Sequence, residues 1–525
     1  MPIFTYKRKL LVTFCVVCAC SFKQLHSPSW QSSFVKTNKD GSLKSIPDEY
    51  GNIIPDFSQV GYYRGDKKIP DITVVKTISP APDGSSEAII QAAIDEVSKK
   101  NADANGFKGA ILLKKGVYKI PGSVKIQSSG IVLRGEGDET ILIAEGNQRR
   151  PLINVSGTGK MEKTGASVAI ADEHIATGAT SFKLTSVEGF VTGDKIIVER
   201  PGTDTWIKDL KMDQIENRGG TRQWQAKEYD LRFERVITKI NGNTITIDNP
   251  IMMPMEKKYG GGFVYKYQFT GRISHTGVEN LQCQSTFISD TAEDHSWDAV
   301  RFDKIENGWV RQVTSRFFAF ACVNLLGDAK FITVDNCKSL EPKSVITGGR
   351  RYSFCNNGQM NLFTNCHAEE GRHDYVTGAR VCGPNVFYNC TAVKTNADIG
   401  PHHRWAAGTL YDNITTDGDI NIQDRGNWGS GHGWAGVTQI VWNCTARRAA
   451  VQNPWVSGKN YCIGLKGEKY EGRLKGRPDA EWEGQNKDGL QPESLYKAQL
   501  KARKKINSYN RYNRKKTLLI SRKAT

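Results

Sequence analysis

Three consecutive residues, His402-His403-Arg404, bring together side chains that move protons and bind anions. An imidazole ionises near neutral pH and is therefore a common general base. A guanidinium binds a carboxylate or a sulfate through two parallel hydrogen bonds. Arg380 lies 24 residues before Arg404, and His432 lies in a glycine-rich segment downstream. These residue types predict acid–base chemistry on an anionic substrate, provided that the fold brings them together.

The spacing between these residues follows a repeat in the second half of the chain. A strand-like segment that ends in Asn and a small apolar residue recurs in steps of 29, 24, 24 and 30 residues. A period in this range is typical of a solenoid, in which each coil stacks on the next. Fainter copies surround Asn280 and Gln312. The five clear anchors of the repeat are Cys337, Cys366, Cys390, Ile414 and Cys444.

Aligning the coils on these anchors predicts which side chains stack, because residues in register on adjacent coils lie about 4.8 Å apart. The positions ten residues before an anchor are Asn356, Arg380, Arg404 and Trp434. His402 and His432 stand twelve residues before theirs. Two arginines one coil apart repel each other unless an anion lies nearby, so this polar row is a predicted anion site. The residues beside it or on nearby turns are His403, His373, Asp424 and Arg425.

Such a row fits β-elimination on a uronic-acid polysaccharide. The C5 proton of a uronate is only weakly acidic, and neutralising the adjoining carboxylate makes it removable. In this hypothesis Arg380 and Arg404 neutralise the carboxylate, and His402 or His403 is the base. Neighbouring residues on a strand alternate faces, which leaves open which of the two histidines faces the substrate.

Other residues complete or compete with these roles. His432 or Tyr411 would donate a proton to the leaving oxygen. Lys394 lies 24 residues after Glu370 and so in register on the next coil, and it is the rival base if the histidines prove structural. Trp206 and Trp224 are candidate stacking platforms for sugars, with burial in a core as the alternative. The full set of predicted substrate-binding residues is His373, Lys394, Asp424, Arg425, Trp434, Trp405, Asn356, Trp206 and Trp224.

The elements that must position this row begin near Asp56. Residues 89–97 have helical periodicity, and three strand-like runs follow at 110–114, 116–120 and 130–134. A break in the coil rhythm from 160 to 270 contains a hairpin signal at Asn241-Gly242-Asn243. We therefore predict an all-β fold with an inserted β subdomain.

Several motifs in this region occur together in a known superfamily. They are an opening Asp-x-Ser-x-x-Gly-Tyr at 56–62, an Asp-Gly-Ser and helix at 83–95, a Gly-x-Tyr strand at 116–118 and Ser-Gly-Ile-Val-Leu-Arg-Gly-Glu-Gly at 129–137. In this order, over residues 56–465, the chain resembles bacterial polysaccharide lyases of the pectate-lyase-like superfamily. The resemblance implies a single-stranded right-handed parallel β-helix with an N-terminal capping helix and a short C-terminal helix.

The resemblance also bears on metals, since many members use Ca²⁺ to bridge the substrate carboxylate. Glu369, Glu370 and Asp374 are the candidate ligands, with a solvated turn as the alternative. We expect no required cofactor, and Ca²⁺ remains the one candidate. The mature region has no Cys-x-x-Cys pair, which argues against structural zinc.

The N-terminus predicts export. Lys7-Arg8-Lys9 precedes a short apolar run, and Val17-Cys18-Ala19-Cys20 resembles a bacterial lipobox that would lipidate Cys20. We expect a secreted, periplasmic or outer-membrane lipoprotein location, with no other membrane contact. The predicted organisation is a signal peptide at 1–20, a polar linker at 21–55, a cap and first coils at 56–159, an inserted subdomain at 160–270, coils with the site at 271–465 and a basic tail with a closing helix at 466–525.

The net charge of +17 is concentrated in the leader and the tail, so it does not define the partner. We expect a monomer with an acidic polysaccharide as its substrate and with no nucleic-acid partner. The main hypothesis is a polysaccharide lyase. The alternatives are a glycoside hydrolase of the same fold acting on an acidic glycan, and a surface module that binds glycans without cleaving them.

Overall fold

The computed structural model describes residues 28–82 and 84–521, and the predicted signal peptide with Cys20 lies outside these residues. The described chain is a right-handed parallel β-helix built on one set of 29 hydrogen-bonded strands. Its apolar side chains fill the interior of the coils and form one continuous core from Ile78 to Ala480. The coil strands are Val74–Ile78, Gly109–Leu113, Gly116–Ile120, Val124–Ile126, Ile131–Arg134, Thr140–Ala144, Pro151–Ser156, Ile273–Ser274, Gly277–Ser285, Asp298–Asp303, Ile305–Arg316, Ala321–Leu325, Ala329–Asp335, Lys338–Leu340, Phe354–Asn356, Leu362–Thr364, His367–Glu369, Tyr375–Thr377, Cys382–Tyr388, Thr391–Val393, Asp398–Pro401, Ala406–Asp412, Thr415–Thr416, Asp419–Ile422, Gly436–Trp442, Thr445–Val451, Tyr461–Ile463, Lys466–Lys469 and Glu481–Glu483.

The ladder register confirms the repeat. Residues two positions before each anchor pair with one another from coil to coil, in the order Asp335, Thr364, Tyr388, Asp412 and Trp442. These pairs reproduce the steps of 29, 24, 24 and 30 residues. The apolar anchors face inward, and all nine cysteines among the described residues are buried and free.

The asparagine of each repeat bends the chain at the end of its strand. Asn336, Asn365, Asn389, Asn413 and Asn443 all have a left-handed φ between 51° and 55°. Asparagine tolerates this conformation better than other non-glycine residues. Neighbouring copies also bond to each other, as when Nδ2 of Asn389 donates to Oδ1 of Asn365 over 2.7 Å. The motif is therefore explained by backbone geometry and stacking.

Different segments close the two ends of the solenoid. The helix Glu87–Ser98 packs Ile90, Ile94 and Val97 onto the first coils. At the other end, residues 28–55 are no linker, contrary to the prediction. Trp30–Gln31 pairs with Leu490–Gln491, Val35–Thr37 pairs with Leu43–Ser45, and Oγ of Ser32 donates to Glu483 on the last coil over 2.5 Å. A few buried apolar residues such as Val35 anchor this otherwise polar segment.

The inserted subdomain lies between coils and carries its own six-stranded antiparallel sheet. Glu234 on this sheet bonds Arg272 and Lys330, and Lys330 belongs to a coil strand, so a buried ionic network connects the subdomain to the coils.

The helices of the inserted subdomain are Asp204–Asp209 and the 3₁₀ turn Lys257–Tyr259. Its strands are Glu162–Ala169, His174–Ile175, Ser181–Lys183, Lys195–Arg200, Leu231–Asn241, Thr244–Ile247, Met255–Glu256 and Phe263–Gln268.

The coils continue beyond the predicted boundary at residue 465. Lys466–Lys469 and Glu481–Glu483 pair with earlier coil strands. Their charged sequence lacks the Asn-Cys anchor, which is why the alignment missed them. The C-terminal helix spans Leu495–Ser521 and is longer than the predicted short helix. Among the described residues, no helix combines the length and apolarity needed to cross a membrane.

The C-terminal helix lies along the side of the coils, against the opening motif of the chain. Oγ of Ser494 accepts a hydrogen bond from the backbone N–H of Lys497 and caps the helix. Gln499 bonds the backbone of Pro55 and Phe57, and Arg503 reaches Ser58. A second 3₁₀ turn, Tyr62–Gly65, follows that opening segment.

Candidate active site

A cleft of about 1260 Å³ opens on the side of the C-terminal coils. Its walls come from coil strands and from the loops that connect them, and the glycine-rich loop 428–433 forms one rim. The side chains that line it are Tyr352, Arg372, His373, Lys394, Asp398, His402, His403, Asp417, Asp419, Asn421, Arg425, Trp428, Ser430, His432, Arg447, Arg448 and Tyr470.

Four histidines from successive coils form the floor of this cleft. The ring centroids of His373 and His402 are 4.4 Å apart. His402 lies 5.0 Å from both His403 and His432, and the last two are 4.8 Å from each other. The backbone explains the grouping, because the N–H of Arg404 donates to the carbonyl of His432 across adjacent coils. The coil register thus brings together all four histidines named from the sequence.

These imidazoles are held neutral. Burial lowers the pKa of His432 to about 4, helped by the charges of Arg425 and Arg404. Burial and the neighbouring His432 lower the pKa of His403 to about 3, and the pKa of His402 is also lowered by burial, far below its usual range. Nδ1 of His402, His403 and His432 has no hydrogen-bond partner among the described residues. These Nδ1 atoms are buried, and a neutral imidazole that lines a cleft can accept a proton at its other nitrogen.

A buried carboxylate orients the deepest histidine. Nδ1 of His373 donates to the backbone carbonyl of Asp398 over 3.0 Å and lies 2.5 Å from Oδ1 of the same residue. Oδ2 of Asp398 accepts hydrogen bonds from Arg425 and Asn421. Burial alone would raise the pKa of Asp398, but Arg425 and His373 outweigh burial and hold it well below the usual range. The histidine cluster therefore rests on a fixed anion that remains ionised.

The rim of the cleft is basic, and one of its cations lacks an acidic partner. Arg447 and Arg448 both bind Asp419, and Nζ of Lys394 lies 3.3 Å from Glu369. Arg372 bonds the backbone carbonyl of Gly348 and lies beside the hydroxyl of Tyr352, and no carboxylate of the described residues lies within 4.0 Å of it. Its guanidinium is available to an anionic ligand.

Lys394 is unsuited to the role of rival base. Its hydrogen bond to Glu369 raises its pKa, so the amine is protonated at neutral pH. The side chain is exposed at the cleft rim, where a positive charge can contact an anionic polymer. The structure thus favours the histidines as proton acceptors.

Arg380 and Arg404 lie outside this cleft. The N–H of Arg380 donates to the carbonyl of Arg404, as the predicted stacking requires. Both side chains line a neighbouring cleft of about 590 Å³, on the other side of Ser430. His402 and Arg404, two residues apart, therefore line different clefts. The reason is that the chain turns sharply at Arg404-Trp405, where both residues have a left-handed φ.

Several residues predicted to contact substrate are buried instead. Trp405 is fully buried and packs its ring 4.9 Å from Trp206, and Trp224 stacks on Tyr229 at 4.1 Å. These aromatics join the inserted subdomain to the coils. Trp434, which bonds the carbonyl of Leu210, belongs to the same core. Large apolar rings gain more from this interface than from exposure to solvent.

Three polar candidates are structural as well. Tyr411 lies in the coil interior with its ring stacked 5.5 Å from Phe387, so it cannot act as the acid. Asn356 is buried and accepts hydrogen bonds from Gly358 and Asn361. Asp424 is buried and binds Arg477. Asn356 and Asp424 satisfy polar groups within the fold, and none of the three residues lines the cleft.

The structure does not bring the three candidate Ca²⁺ ligands together. Glu369 and Glu370 face Lys394, whereas Asp374 is buried against Ser353. Burial raises the pKa of Asp374 to about 7. Within residues 28–82 and 84–521, no group of three or more His, Cys, Asp or Glu side chains has the geometry of metal ligands.

Sequence reasoning missed many of the other cleft residues, among them Tyr352, Arg372, Trp428 and Tyr470. Arg372 adjoins His373 and could have been found from that neighbour. Trp428 lies in the glycine-rich segment already singled out. Tyr470 lies beyond the last anchor, Cys444, so the alignment could not place it. Tyr352 lies in the coil anchored at Cys366, but its residue type alone does not distinguish a cleft wall from a core position.

No family model and no curated protein matches the chain. Among solved structures, it is similar to pectate lyase Pel9A, with 11% identity and a TM-score of 0.41 over 80% of this chain and 81% of that one. It is similar to an alginate lyase from Paenibacillus sp. str. FPU-7, with 9% identity and a TM-score of 0.39 over 79% and 99% of the two chains. A third is the catalytic domain of a GH87 alpha-1,3-glucanase in complex with nigerose, with 11% identity and a TM-score of 0.36 over 79% and 65%. Similarity at this level carries no argument about the chemistry of the cleft.

Proposed function

We propose that this chain is an exported polysaccharide lyase that cleaves a uronic-acid-containing polysaccharide by β-elimination. One observation carries the proposal. Two half-buried imidazoles, His403 and His432, line a basic cleft and have lowered pKa values, and their buried Nδ1 atoms have no hydrogen-bond partner among the described residues. Neutral bases surrounded by positive charge suit proton abstraction next to a substrate carboxylate.

The base is one of these two residues, and we assign His432. Its pKa is the higher of the two, and it is also influenced by the charge of Arg372. A bound uronate would place a negative charge beside the ring, raising the pKa and strengthening the base when substrate is present. His402 is more buried and holds the neighbouring rings in place.

Arg372 is the residue assigned to neutralise the uronate carboxylate. It is the cleft guanidinium that lacks a carboxylate within 4.0 Å among the described residues. A two-pronged contact with the carboxylate would draw electron density from C5 and stabilise the carbanion-like transition state. The remaining cleft arginines are engaged with Asp398 and Asp419.

Tyr352 is the assigned proton donor. Burial raises its pKa to about 12, so the phenol is protonated at neutral pH. Its ring centroid is 5.2 Å from His402, on the wall of the cleft. In the reaction, His432 takes the C5 proton and the bond between C4 and the glycosidic oxygen breaks. A double bond forms between C4 and C5, and the departing oxygen receives the proton of Tyr352.

The carboxylates of the cleft argue against a hydrolase. An inverting or retaining hydrolase needs a protonated carboxyl group with a raised pKa. Asp398 is ionised by Arg425 and His373. The backbone N–H groups of Lys394 and Thr395 bind Asp417 and lower its pKa despite partial burial. Asp419 pairs with two arginines. None of the three is placed to donate a proton.

The test is to incubate the full chain with a panel of uronic-acid polysaccharides, with and without EDTA. A lyase product absorbs in the ultraviolet through its new C4–C5 double bond. New reducing ends without this absorbance would establish a hydrolase, and binding without either product would establish a glycan-binding module. Activity that survives EDTA would exclude a need for Ca²⁺. Export is tested separately, by locating the protein and labelling Cys20 with a lipid precursor.

A further inference from the structure

The cleft beside the histidines has the features of a second anion site. It is formed where residues 222–229 of the inserted subdomain meet the coil loops that carry Arg380 and Arg404. We propose that this cleft binds a carboxylate or sulfate group on a sugar unit next to the one being cleaved. The proposal rests on the proposed function for its substrate class.

The charge of this cleft is unbalanced. It is lined by three arginines, Arg222, Arg380 and Arg404, and by one carboxylate, Glu228. Among the described residues, no carboxylate lies within 4.0 Å of any of the three guanidinium groups. The pair Arg447 and Arg448, by contrast, shares Asp419. Neighbouring unpaired guanidinium groups repel one another, and an oxyanion would relieve this repulsion.

Two of the three arginines contact ordered neighbours. Nη2 of Arg404 donates to both the carbonyl and Oγ of Ser430, over 3.0 and 2.7 Å. The guanidinium of Arg380 lies 5.5 Å from the ring centre of Tyr229. Tyr229 is itself stacked on the buried Trp224. A site whose cations are already positioned loses little conformational entropy when an anion binds.

A single loop separates this cleft from the histidines. Ser430 lines the histidine cleft, and its carbonyl also accepts a hydrogen bond from the backbone N–H of Arg222. A Cβ atom at Gly431 would lie 2.5 Å from the carbonyl oxygen of Arg222, so glycine is needed for this close contact. The inserted subdomain therefore contacts the wall of the candidate active site. A linear polymer that crosses the loop would occupy both clefts.

This arrangement gives the inserted subdomain a role in specificity. A substrate with anionic groups on adjacent units would bind both clefts, whereas a polymer with isolated uronates would use only one. Carboxylate and sulfate fit the same guanidinium groups. Binding of matched oligosaccharides with and without sulfate shows whether the bound anion is a carboxylate or a sulfate.

The experiment is calorimetric binding of uronic-acid oligosaccharides of increasing length, unsulfated and sulfated, to the full chain. Arg222 and Arg380 are exposed, so we expect their replacement to leave the fold intact, which the thermal midpoint of the double variant checks. We expect Arg222→Gln/Arg380→Gln to weaken binding of the longer oligosaccharides roughly tenfold or more, and to reduce the salt dependence of binding. The binding of disaccharides should change much less. The matched control is Arg232→Gln. Arg232 lies on the sheet of the inserted subdomain, outside both clefts, and this variant should bind like the wild type.

Three results would overturn the proposal. They are unchanged binding by the double variant, an equal loss in the Arg232→Gln control, and no binding of any oligosaccharide by the wild type. Arginine-dependent binding without cleavage would support the proposed anion site and would refute only the proposed lyase activity. A loss confined to sulfated oligosaccharides would identify sulfate as the group that is bound.

Discussion

Nδ1 of His373 lies 2.5 Å from Oδ1 of Asp398, and the same carboxylate holds Arg425 through its other oxygen. The contact links the floor of the histidine cleft to a buried anion. It fixes the deepest ring of the cluster, and His402 packs against that ring at 4.4 Å. Asp398 is therefore a positioning residue that acts through the histidines.

Replacing Asp398 with asparagine should destabilise the fold and impair catalysis. The variant leaves Arg425 buried without its counter-charge, and breaking a buried pair typically costs about 3–5 kcal/mol. Because the pKa of Asp398 is lowered in the folded state, its ionised form adds to the free energy of unfolding at any pH above its unfolded pKa. This stabilisation is lost only at strongly acid pH. Urea unfolding at neutral pH measures the loss, and the acid limb of the activity profile should shift as well. Asp290→Asn, on an exposed ion pair, is the control. Equal stability of Asp398→Asn and the wild type would refute this role.

The histidine cluster should make stability fall between pH 7 and pH 5. The pKa values of His403 and His432 are lowered in the folded state, so the unfolded chain binds protons in this range that the folded chain does not. The free energy of unfolding then decreases as the pH falls. In His403→Gln/His432→Gln, the free energy of unfolding should depend less steeply on pH. The difference in slope should correspond to at most two fewer protons taken up on unfolding. Identical slopes in chemical denaturation across this range would show that the two rings are not buried as neutral groups.

Tyr352→Phe tests the assigned proton donor. The variant keeps the ring that packs beside His402 and removes only the hydroxyl group. Loss of a general acid should lower kcat roughly 100-fold or more, with little change in KM or in the thermal midpoint. Tyr50→Phe, at an exposed position, is the control. Full activity of Tyr352→Phe would assign the proton donation to another group.

Two tryptophans should separate structural from binding roles. Trp206 is buried between the inserted sheet and Trp405, so Trp206→Ala should cost about 3–5 kcal/mol in stability. Trp428 lines the cleft with its ring 5.6 Å from the guanidinium of Arg425, and Trp428→Ala should weaken oligosaccharide binding instead. Unfolding and binding measured on both variants check this division. A specific loss of sugar binding in folded Trp206→Ala would restore the original prediction of a stacking platform.

The sequence predicted the coil register well because that register depends on local chemistry. An asparagine with a left-handed φ and a small buried residue recur once per coil, and both are visible as letters. The alignment therefore grouped His402, His403 and His432 correctly in space. It could not show that Arg404 turns away from them, because a single sharp bend changes which face a side chain occupies.

The errors arose where tertiary packing outweighs residue type. A tryptophan or tyrosine suits both a sugar-binding surface and a core, and only the inserted subdomain decides that Trp405 and Trp434 are covered. Asp424 resembles a cleft carboxylate until Arg477 is seen beside it. Residues 466–469 were predicted to belong to a basic tail because their side chains are mostly charged. They form a coil strand whose charged side chains face outward.

The central claim is that a neutral histidine in this cleft removes the C5 proton of a uronate. The most direct test measures kcat by ultraviolet absorbance of the unsaturated product for His432→Ala, His403→Ala and Lys394→Ala, on a polysaccharide that the wild type cleaves. We expect a loss of roughly 100-fold or more in His432→Ala, a smaller loss in His403→Ala and near wild-type turnover in Lys394→Ala. Full activity in both histidine variants, together with an inactive Lys394→Ala, would contradict it.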